Sequence, residues 1–278
     1  MTRSVEANPY APQVACLSRV IDETPTIKTF CFDLADPLAF RAGQFVQLGV
    51  PGLGEGPFTP SSSPLDPEHL EVTVLRTGEV TERLHRMQAG DVCTLRGPYG
   101  KGYPVEKLEG KDVLVVGGGV GLAPLRALIH QLFAMTDRLG RVVIKNGARE
   151  TAELLFRDAY EGWAARDRVS VEVTIDRPES GWTGPVGVVT TLLDHVGEDV
   201  DVANCYAFTC GPEIMLKFVA MKLLEKGFSA EQIYLSMNRR MSCGVGKCGR
   251  CNIGPHYLCK DGPDVCYATI KDYPNVFG

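Results

Sequence analysis

The sequence predicts a small β barrel or sandwich, then an α/β domain on a parallel sheet, then a short C-terminal segment built around cysteines. Three observations predict it. Residues 1–108 hold short stretches of alternating apolar and polar residues parted by Gly and Pro clusters, the pattern of half-buried antiparallel strands. Over residues 109–237, continuous apolar runs alternate with helix-like stretches, as expected of strands buried on both faces between helices. Over residues 238–278, four cysteines crowd together as C-x4-C-x2-C-x7-C. The length of 278 residues suits two domains with such a segment attached.

In the first region, strands are expected at Val14–Leu17, Ile27–Phe32, Gln44–Leu48, Leu70–Leu75 and Val92–Leu95. The cluster from Pro51 to Pro57 reads as a spacer between them. One helix is expected from Thr81 to Met87, with Thr81 as its N-cap. In the second region, the apolar run Asp112–Val116 is followed by Gly117-Gly118-Gly119-Val120-Gly121 and a helix from Leu122 to Met135. Arg141–Ile144 and Val169–Ile175 read as strands, and Thr151–Ala164 and Val186–His195 as helices. Cys205–Thr209 reads as another buried strand. Pro212–Lys226 is a helix with Pro in its first turn and Gly227 just past its end. Ile233–Leu235 closes the alternation.

The cysteine segment carries the most specific chemistry. Cys243, Cys248, Cys251 and Cys259 lie close in sequence with glycines between them. Glycine permits positive φ, so backbone N–H groups can turn toward sulfur. The x4-x2 spacing is that of plant-type 2Fe–2S clusters. Structural zinc prefers paired C-x2-C knuckles, and only one is present. Zinc and unligated cysteines stay open as the other readings. Cys266 is either a rival ligand or a spare thiol. Cys16, Cys31, Cys93 and Cys205 read as small buried hydrophobes.

Bulk properties narrow the function classes. The chain is 44% hydrophobic and 23% charged, with a net charge of −5, which argues against nucleic acid as the main partner. Met1–Ala15 has no apolar core of a signal peptide, and no run is long enough to span a membrane. Ten cysteines without such a signal favour a reducing cytoplasm. The five histidines are scattered without metal-ligand spacing and read as surface or local hydrogen-bonding residues.

Four further motifs bear on ligands. Gly118, Gly119 and Gly121, between a buried strand and a helix, suit close approach to a dinucleotide phosphate at a helix N-terminus; a ligand-free turn has similar composition. Cys210-Gly211-Pro212 ends a strand and opens a helix at the same carboxyl edge of the sheet. Pro57-Phe58-Thr59 with Ser61 and Ser62 sets an aromatic among hydroxyls, suited to flanking a flavin ring, although a surface loop reads alike. Gly97-Pro98-Tyr99-Gly100 reads as a turn after a strand. Arg149, after the second strand of the α/β domain, is either a contact for a 2′-phosphate or a solvated arginine.

Together these motifs resemble the ferredoxin–NADP reductase superfamily. The start at Asn8-Pro9-Tyr10, the run Gly117–Leu125, the cysteine loop and Tyr257–Pro263 are similar to the electron-transfer subunits related to that of dihydroorotate dehydrogenase. They are most similar to the gamma subunits of cytoplasmic NAD(P)-linked hydrogenases and to the matching subunit of anaerobic sulfite reductase. The resemblance implies FAD in the barrel, beside Pro57–Ser62, Gly97 and Tyr99, with Thr81 near the flavin pyrophosphate. It implies NAD or NADP on Gly118–Gly121, with Cys210 near the nicotinamide and Gly211 and Pro212 beside it. Cys243, Cys248, Cys251 and Cys259 match the ligands of a 2Fe–2S cluster. Many reductases carry an arginine where this chain has Gly56. The pyrophosphate charge then falls to Arg76, Arg83, Arg96 or a helix N-terminus, and FMN becomes an alternative flavin.

The expected function is a relay between NAD(P)H and a partner. A flavin converts a two-electron hydride into single electrons, and the protein positions the groups and tunes their potentials. The resemblance implies a catalytic redox subunit, a NiFe hydrogenase first, with a ferredoxin-like subunit beside it. Dihydroorotate dehydrogenase and anaerobic sulfite reductase are the alternatives within the class. A zinc-binding module on a fold that has lost its flavin is the alternative of another class.

Overall fold

The computed structural model describes residues 8–277. The expectation of a leader-free N-terminus rests in part on residues 1–7, which lie outside the described residues.

The first region is one six-stranded antiparallel sheet. Its strands are β1 (Gln13–Thr24), β2 (Ile27–Leu34), β3 (Phe45–Val50), β4 (Gly54–Phe58), β5 (Leu70–Leu75) and β6 (Val92–Tyr99). They run in the order β4-β3-β6-β1-β2-β5. A bridge between Pro60 and Val72 carries the chain after β4 onto β5 and curls the sheet into a barrel. Period-2 alternation points Leu17, Phe30, Val46, Leu48, Val72, Val74 and Leu95 inward, all fully buried.

Two local expectations change here. The Pro51–Pro57 spacer is a hairpin instead. Gly52 and Gly54 take positive φ of 80° and 132°, which reverses the chain, and β4 then pairs with β3 from Val50↔Gly54 to Val46↔Phe58. Its Gly/Pro content hid a strand. The helix α1 (Glu79–Leu84) starts before Thr81, with Gly78 as its N-cap. The Thr81 hydroxyl reaches back, accepting from the N–H groups of Thr77 and Gly78 at 2.8 Å each, so it closes the first turn from inside.

The second region is a six-stranded sheet, five strands of its own and β14 (Asp264–Cys266) from the cysteine segment, in the order β14-β11-β10-β7-β8-β9. It comprises β7 (Asp112–Gly118), α2 (Leu122–Phe133), β8 (Val142–Ala148), α3 (Tyr160–Ala164), β9 (Val169–Ile175), α4 (Val196–Asp199), β10 (Cys205–Cys210), α5 (Glu213–Glu225) and β11 (Ile233–Ser236). These five strands are parallel.

The helix expected over 151–164 is two 3-10 turns and the short α3. Phe156 sits in the left-handed region at φ 56°, which breaks a right-handed helix at that residue. The helix expected over 186–195 is a 3-10 turn at Val189–Leu193, with α4 beyond it. Its β-branched run crowds a helical backbone, and Val186 bridges to Ile175 instead. Cys93 and Cys205 are buried as expected, whereas Cys16 and Cys31 are only half-buried.

The cysteine segment is joined to both regions. After the hairpin β12 (Asn252–Ile253) and β13 (His256–Tyr257) come α6 (Leu258–Asp261), β14 (Asp264–Cys266) and α7 (Tyr267–Ile270). Strand β14 adds antiparallel to β11, from Tyr234↔Cys266 to Ser236↔Asp264. Met241, Cys251, Ile253, Leu258, Cys259 and Val265 share one core with Leu216, Leu223 and Leu235. No helix among the described residues is long and apolar enough to cross a membrane.

Candidate functional site

The cysteine loop is held by its own backbone. Gly244, Gly246 and Gly249 take positive φ of 79°, 72° and 73°. That turns the Val245 and Lys247 N–H groups onto Cys243 Sγ at 3.4 and 3.3 Å, and the Gly246 N–H onto Cys259 Sγ at 3.1 Å. The Cys243 thiol feels burial, which raises its pKa, but N–H groups from Cys248, Val245 and Lys247 outweigh it and lower the pKa to about 6. Cys259 is buried beside Cys251 and is pushed up to about 12. The neighbouring Cys248 thiol also lowers the Cys243 pKa, and the Cys251 thiol raises that of Cys259. Among the described residues, no three His, Cys, Asp or Glu side chains converge on a single ion. N–H groups turned onto Cys243 and Cys259 suit cluster sulfurs, and Cys243, Cys248, Cys251 and Cys259 would hold a 2Fe–2S cluster. Cys251 and Cys259 are buried while Cys248 is exposed. The Cys266 thiol points away, to the carbonyls of Ala230 and Glu231 at 3.6 Å each.

The loop is stapled to the barrel by Arg96. This side chain is 7% exposed. Its Nε donates to Glu55 Oε2 at 2.8 Å, and its Nη2 to Glu55 Oε1. It also donates to the carbonyls of Cys243 at 2.9 Å and Ser242 at 3.0 Å, and to the Tyr99 hydroxyl at 3.0 Å. Gln47 Nε2 adds a bond to the Met241 carbonyl at 2.8 Å. Arg96 is therefore fully engaged and does not serve a phosphate; Arg76, Arg83 and the start of α1 remain. The Gly97–Tyr99 stretch is the end of β6 rather than a turn after it. Tyr99 is buried between Phe45 and the loop, and a Cβ on Gly244 would stand 3.0 Å from its ring.

On the barrel, Pro57 and Phe58 lie at the end of β4, half-buried, with Thr59 following. Ser61 and Ser62 are buried and engaged with β5: Ser61 Oγ lies 2.8 Å from Thr73 Oγ1, and Ser62 Oγ accepts the Glu71 N–H at 3.1 Å. They shape the loop from below, which leaves Phe58 and Thr59 as its half-exposed face.

At the carboxyl edge of the second sheet, Gly117 stands opposite Cys210. A Cβ on Gly121 would land on the Cys210 carbonyl, and one on Gly118 or Gly211 on the Met215 sulfur, whereas Gly119 at φ 55° faces open space. Gly118, Gly121 and Gly211 thus permit close packing, and Gly119 with the N-terminus of α2 offers the free surface for a phosphate. Arg149 and Arg177 follow the adjacent ends of β8 and β9, both exposed, and neither has an ion-pair partner among the described residues. The half-buried Cys210 thiol is pushed up to about 12 by burial, with the Asp264 carboxyl adding to the rise. It is a neutral thiol at physiological pH.

Asp264 was not legible in the sequence, where it reads as a tail residue after Gly-Pro. It is buried where three parts meet: Ser236 Oγ of β11 donates to its Oδ1, Tyr103 of the barrel bonds that Ser236 at 2.8 Å, and Oδ2 has no partner among the described residues. Burial pushes the carboxyl up to about 7. The folded state therefore prefers Asp264 protonated. The resulting stability is present below the unfolded pKa near 4 and is lost as pH rises through about 7. Relative to Asp264→Asn, the wild type is expected to lose about 2 kcal/mol between pH 5 and 8, read from denaturant midpoints. Parallel pH profiles for the two chains would refute this.

Three family models match the chain. The oxidoreductase FAD-binding domain matches residues 15–103, the oxidoreductase NAD-binding domain 115–221, and the iron–sulfur cluster binding domain of dihydroorotate dehydrogenase B 238–271. The chain is 37% identical over 283 residues to the sulfhydrogenase 1 subunit gamma of Pyrococcus furiosus, covering 97% of this chain and 95% of that one. It belongs to that family of iron–sulfur flavoprotein oxidoreductase chains. A probable dihydroorotate dehydrogenase B (NAD(+)) electron transfer subunit of Methanocella arvoryzae is 36% identical, covering 91% of this chain and 89% of that one. In fold, the chain matches an NADH-dependent reduced ferredoxin-NADP oxidoreductase at a TM-score of 0.73 and 24% identity, covering 92% of this chain and 91% of that structure. As a family member, the chain is an NAD(P)H-linked flavin oxidoreductase that uses FAD and an iron–sulfur cluster.

Proposed function

We propose that this chain is the electron-transfer subunit linking NAD(P)H to a partner redox enzyme, a NiFe hydrogenase first. The observation that carries the reading is the Arg96 staple, which fixes the cysteine loop directly on the barrel. It joins Glu55 of the barrel to the carbonyls of Ser242 and Cys243. The full-length likeness to a sulfhydrogenase subunit supports the choice of partner. A dihydroorotate dehydrogenase partner is the second reading, supported by the likeness to that enzyme's electron transfer subunit.

The barrel (1–108) would hold FAD against Pro57, Phe58 and Thr59, with Ser61, Ser62 and Gly97 shaping the loop and Thr81 ordering the first turn of α1. The second domain (109–237) would hold the nicotinamide nucleotide on Gly119 and the N-terminus of α2, with Gly118, Gly121 and Gly211 packing the edge beneath it beside Pro212. Segment 238–278 would hold a 2Fe–2S cluster on Cys243, Cys248, Cys251 and Cys259. FAD held in the barrel would supply the conversion between a two-electron hydride and single electrons. The neutral Cys210 packs near the nicotinamide and adds no charge to a site that gains and loses hydride. Tyr99 and Arg96 keep water out from between barrel and loop. Arg149 and Arg177 favour NADP(H) through its 2′-phosphate. Ten cysteines free of disulfides support a reducing cytoplasm. The partner would bring its own catalytic subunit, with a ferredoxin-like subunit between. Anaerobic reduction by each nicotinamide, followed optically and by EPR, tests the reading.

A further inference from the structure

We propose that the exposed edge of the cysteine loop is a docking surface for a protein electron carrier whose own redox centre is ringed by carboxylates. This rests on the relay reading, since it assumes that electrons leave or enter through the cluster.

The charge of the molecule is divided sharply. Residues 238–278 hold six Lys and Arg against three Asp and Glu, one of which is the buried Asp264, while the remaining residues hold 23 against 31. The cations gather where the cluster comes to the surface. Cys248 is the one exposed thiol of the four. Lys247 and Arg250 flank it on the same loop, Lys260 lies along Gly246, and Arg240 precedes the loop, all exposed. None of these four has an ion-pair partner among the described residues, although the pairs there include weak surface ones such as Arg41–Glu106 and Arg138–Glu109. The neighbouring Lys101 reaches Asp261 only at 3.8 Å, with 69% of its side chain exposed.

Unpaired cations on an acidic molecule set up a local positive field that steers a partner of opposite sign and turns its acidic face toward the cluster edge. An apolar element sits within the ring. Tyr10 is 41% exposed and carries the Lys247 ammonium over its face at 5.8 Å. An aromatic inside a charged rim is the composition of a transient protein interface. The same surface repels a carrier with a basic rim, so it selects as well as attracts.

The test uses the holo-chain in stopped flow. Electron entry from a reduced, acidic plant-type 2Fe–2S ferredoxin is followed at about 20 and 500 mM salt, beside electron exit from the NADPH-reduced chain to oxidised, basic cytochrome c. The acidic carrier is expected to slow by roughly tenfold or more at high salt, while the basic one speeds up or stays unchanged. The double variant Arg250→Glu/Lys260→Glu should lose roughly tenfold with ferredoxin at low salt and flatten its salt dependence. Its iron content and its flavin reduction by NADPH should stay unchanged, which shows that the chain is folded and loaded. Ferredoxin rates independent of salt, or unaltered in the variant, overturn the docking surface alone. A wild-type cluster that accepts no electron from either NADPH or ferredoxin overturns the relay reading and this inference with it.

Discussion

Cys251→Ser is expected to abolish electron delivery while leaving hydride uptake intact. Cys251 is 1% exposed and packed with Cys259 and Leu258 in the core that ties the cysteine segment to α5. A serine there supplies a poor ligand and a buried hydroxyl without its sulfur partner. Removing an outer-shell partner of a metal ligand typically costs roughly 10–100-fold in affinity, and losing an inner ligand costs more. Iron should fall from about two per chain toward zero. NAD(P)H should still bleach the flavin, because the barrel and the glycine edge do not depend on the cluster for their strands. Transfer to a one-electron protein carrier should fall below detection. Cys266→Ser is the control: its thiol bonds carbonyls of the Ala230–Glu231 turn, and its iron content should match the wild type. Equal iron in Cys251→Ser and the wild type would remove Cys251 from the ligand set.

Gly121→Ala should damage the nucleotide edge more than any other alanine in the glycine run. Its Cβ would land on the Cys210 carbonyl and the Gly211 nitrogen, both backbone, so nothing flexible can yield. Overpacking of this kind costs roughly 1–3 kcal/mol, and relief requires β10 and α2 to part. That shifts the Cys210 edge on which the proposed nucleotide site depends, so the KM for NAD(P)H should rise by about tenfold or more for a shift of this cost. Gly118→Ala meets the end of the Met215 side chain, which can swing aside, and should be milder. Gly119→Ala meets open space and suffers only its left-handed φ of 55°, about 1–2 kcal/mol. Thermal midpoints and flavin bleaching by NADPH rank the three. A Gly121→Ala chain no worse than Gly119→Ala would contradict the close approach.

Much of this was legible because the signals are local. The run Val113–Val116 and the glycines after it announce a strand-to-helix turn within ten residues, and Cys243 to Cys259 carry their spacing on the page. Helix α5 was legible from Pro212 and Gly227. What the sequence hid is long-range or rests on tertiary context. Arg96 looked like any cation near a flavin, but its partners lie 41 positions before it and 146–147 positions after it, a separation no local pattern reports. Asp264 becomes a buried carboxyl only because β14 adds to β11 and brings Tyr103 and Ser236 against it. The stretch 151–164 had helical composition, yet the left-handed Phe156 prevailed, while the β-branched run of 186–195 worked against a helix and Val186 bridges to Ile175. The strand β4 was masked by the glycines that make its turn.

The most direct measurement of the relay is the anaerobic titration of the purified holo-chain with NADH and with NADPH, read by visible absorption and low-temperature EPR. Flavin bleaching followed by about one unpaired electron per chain from a reduced 2Fe–2S cluster is the expected result, with NADPH the better donor. Flavin that bleaches while the cluster stays oxidised, or a colourless chain that carries zinc, would contradict it.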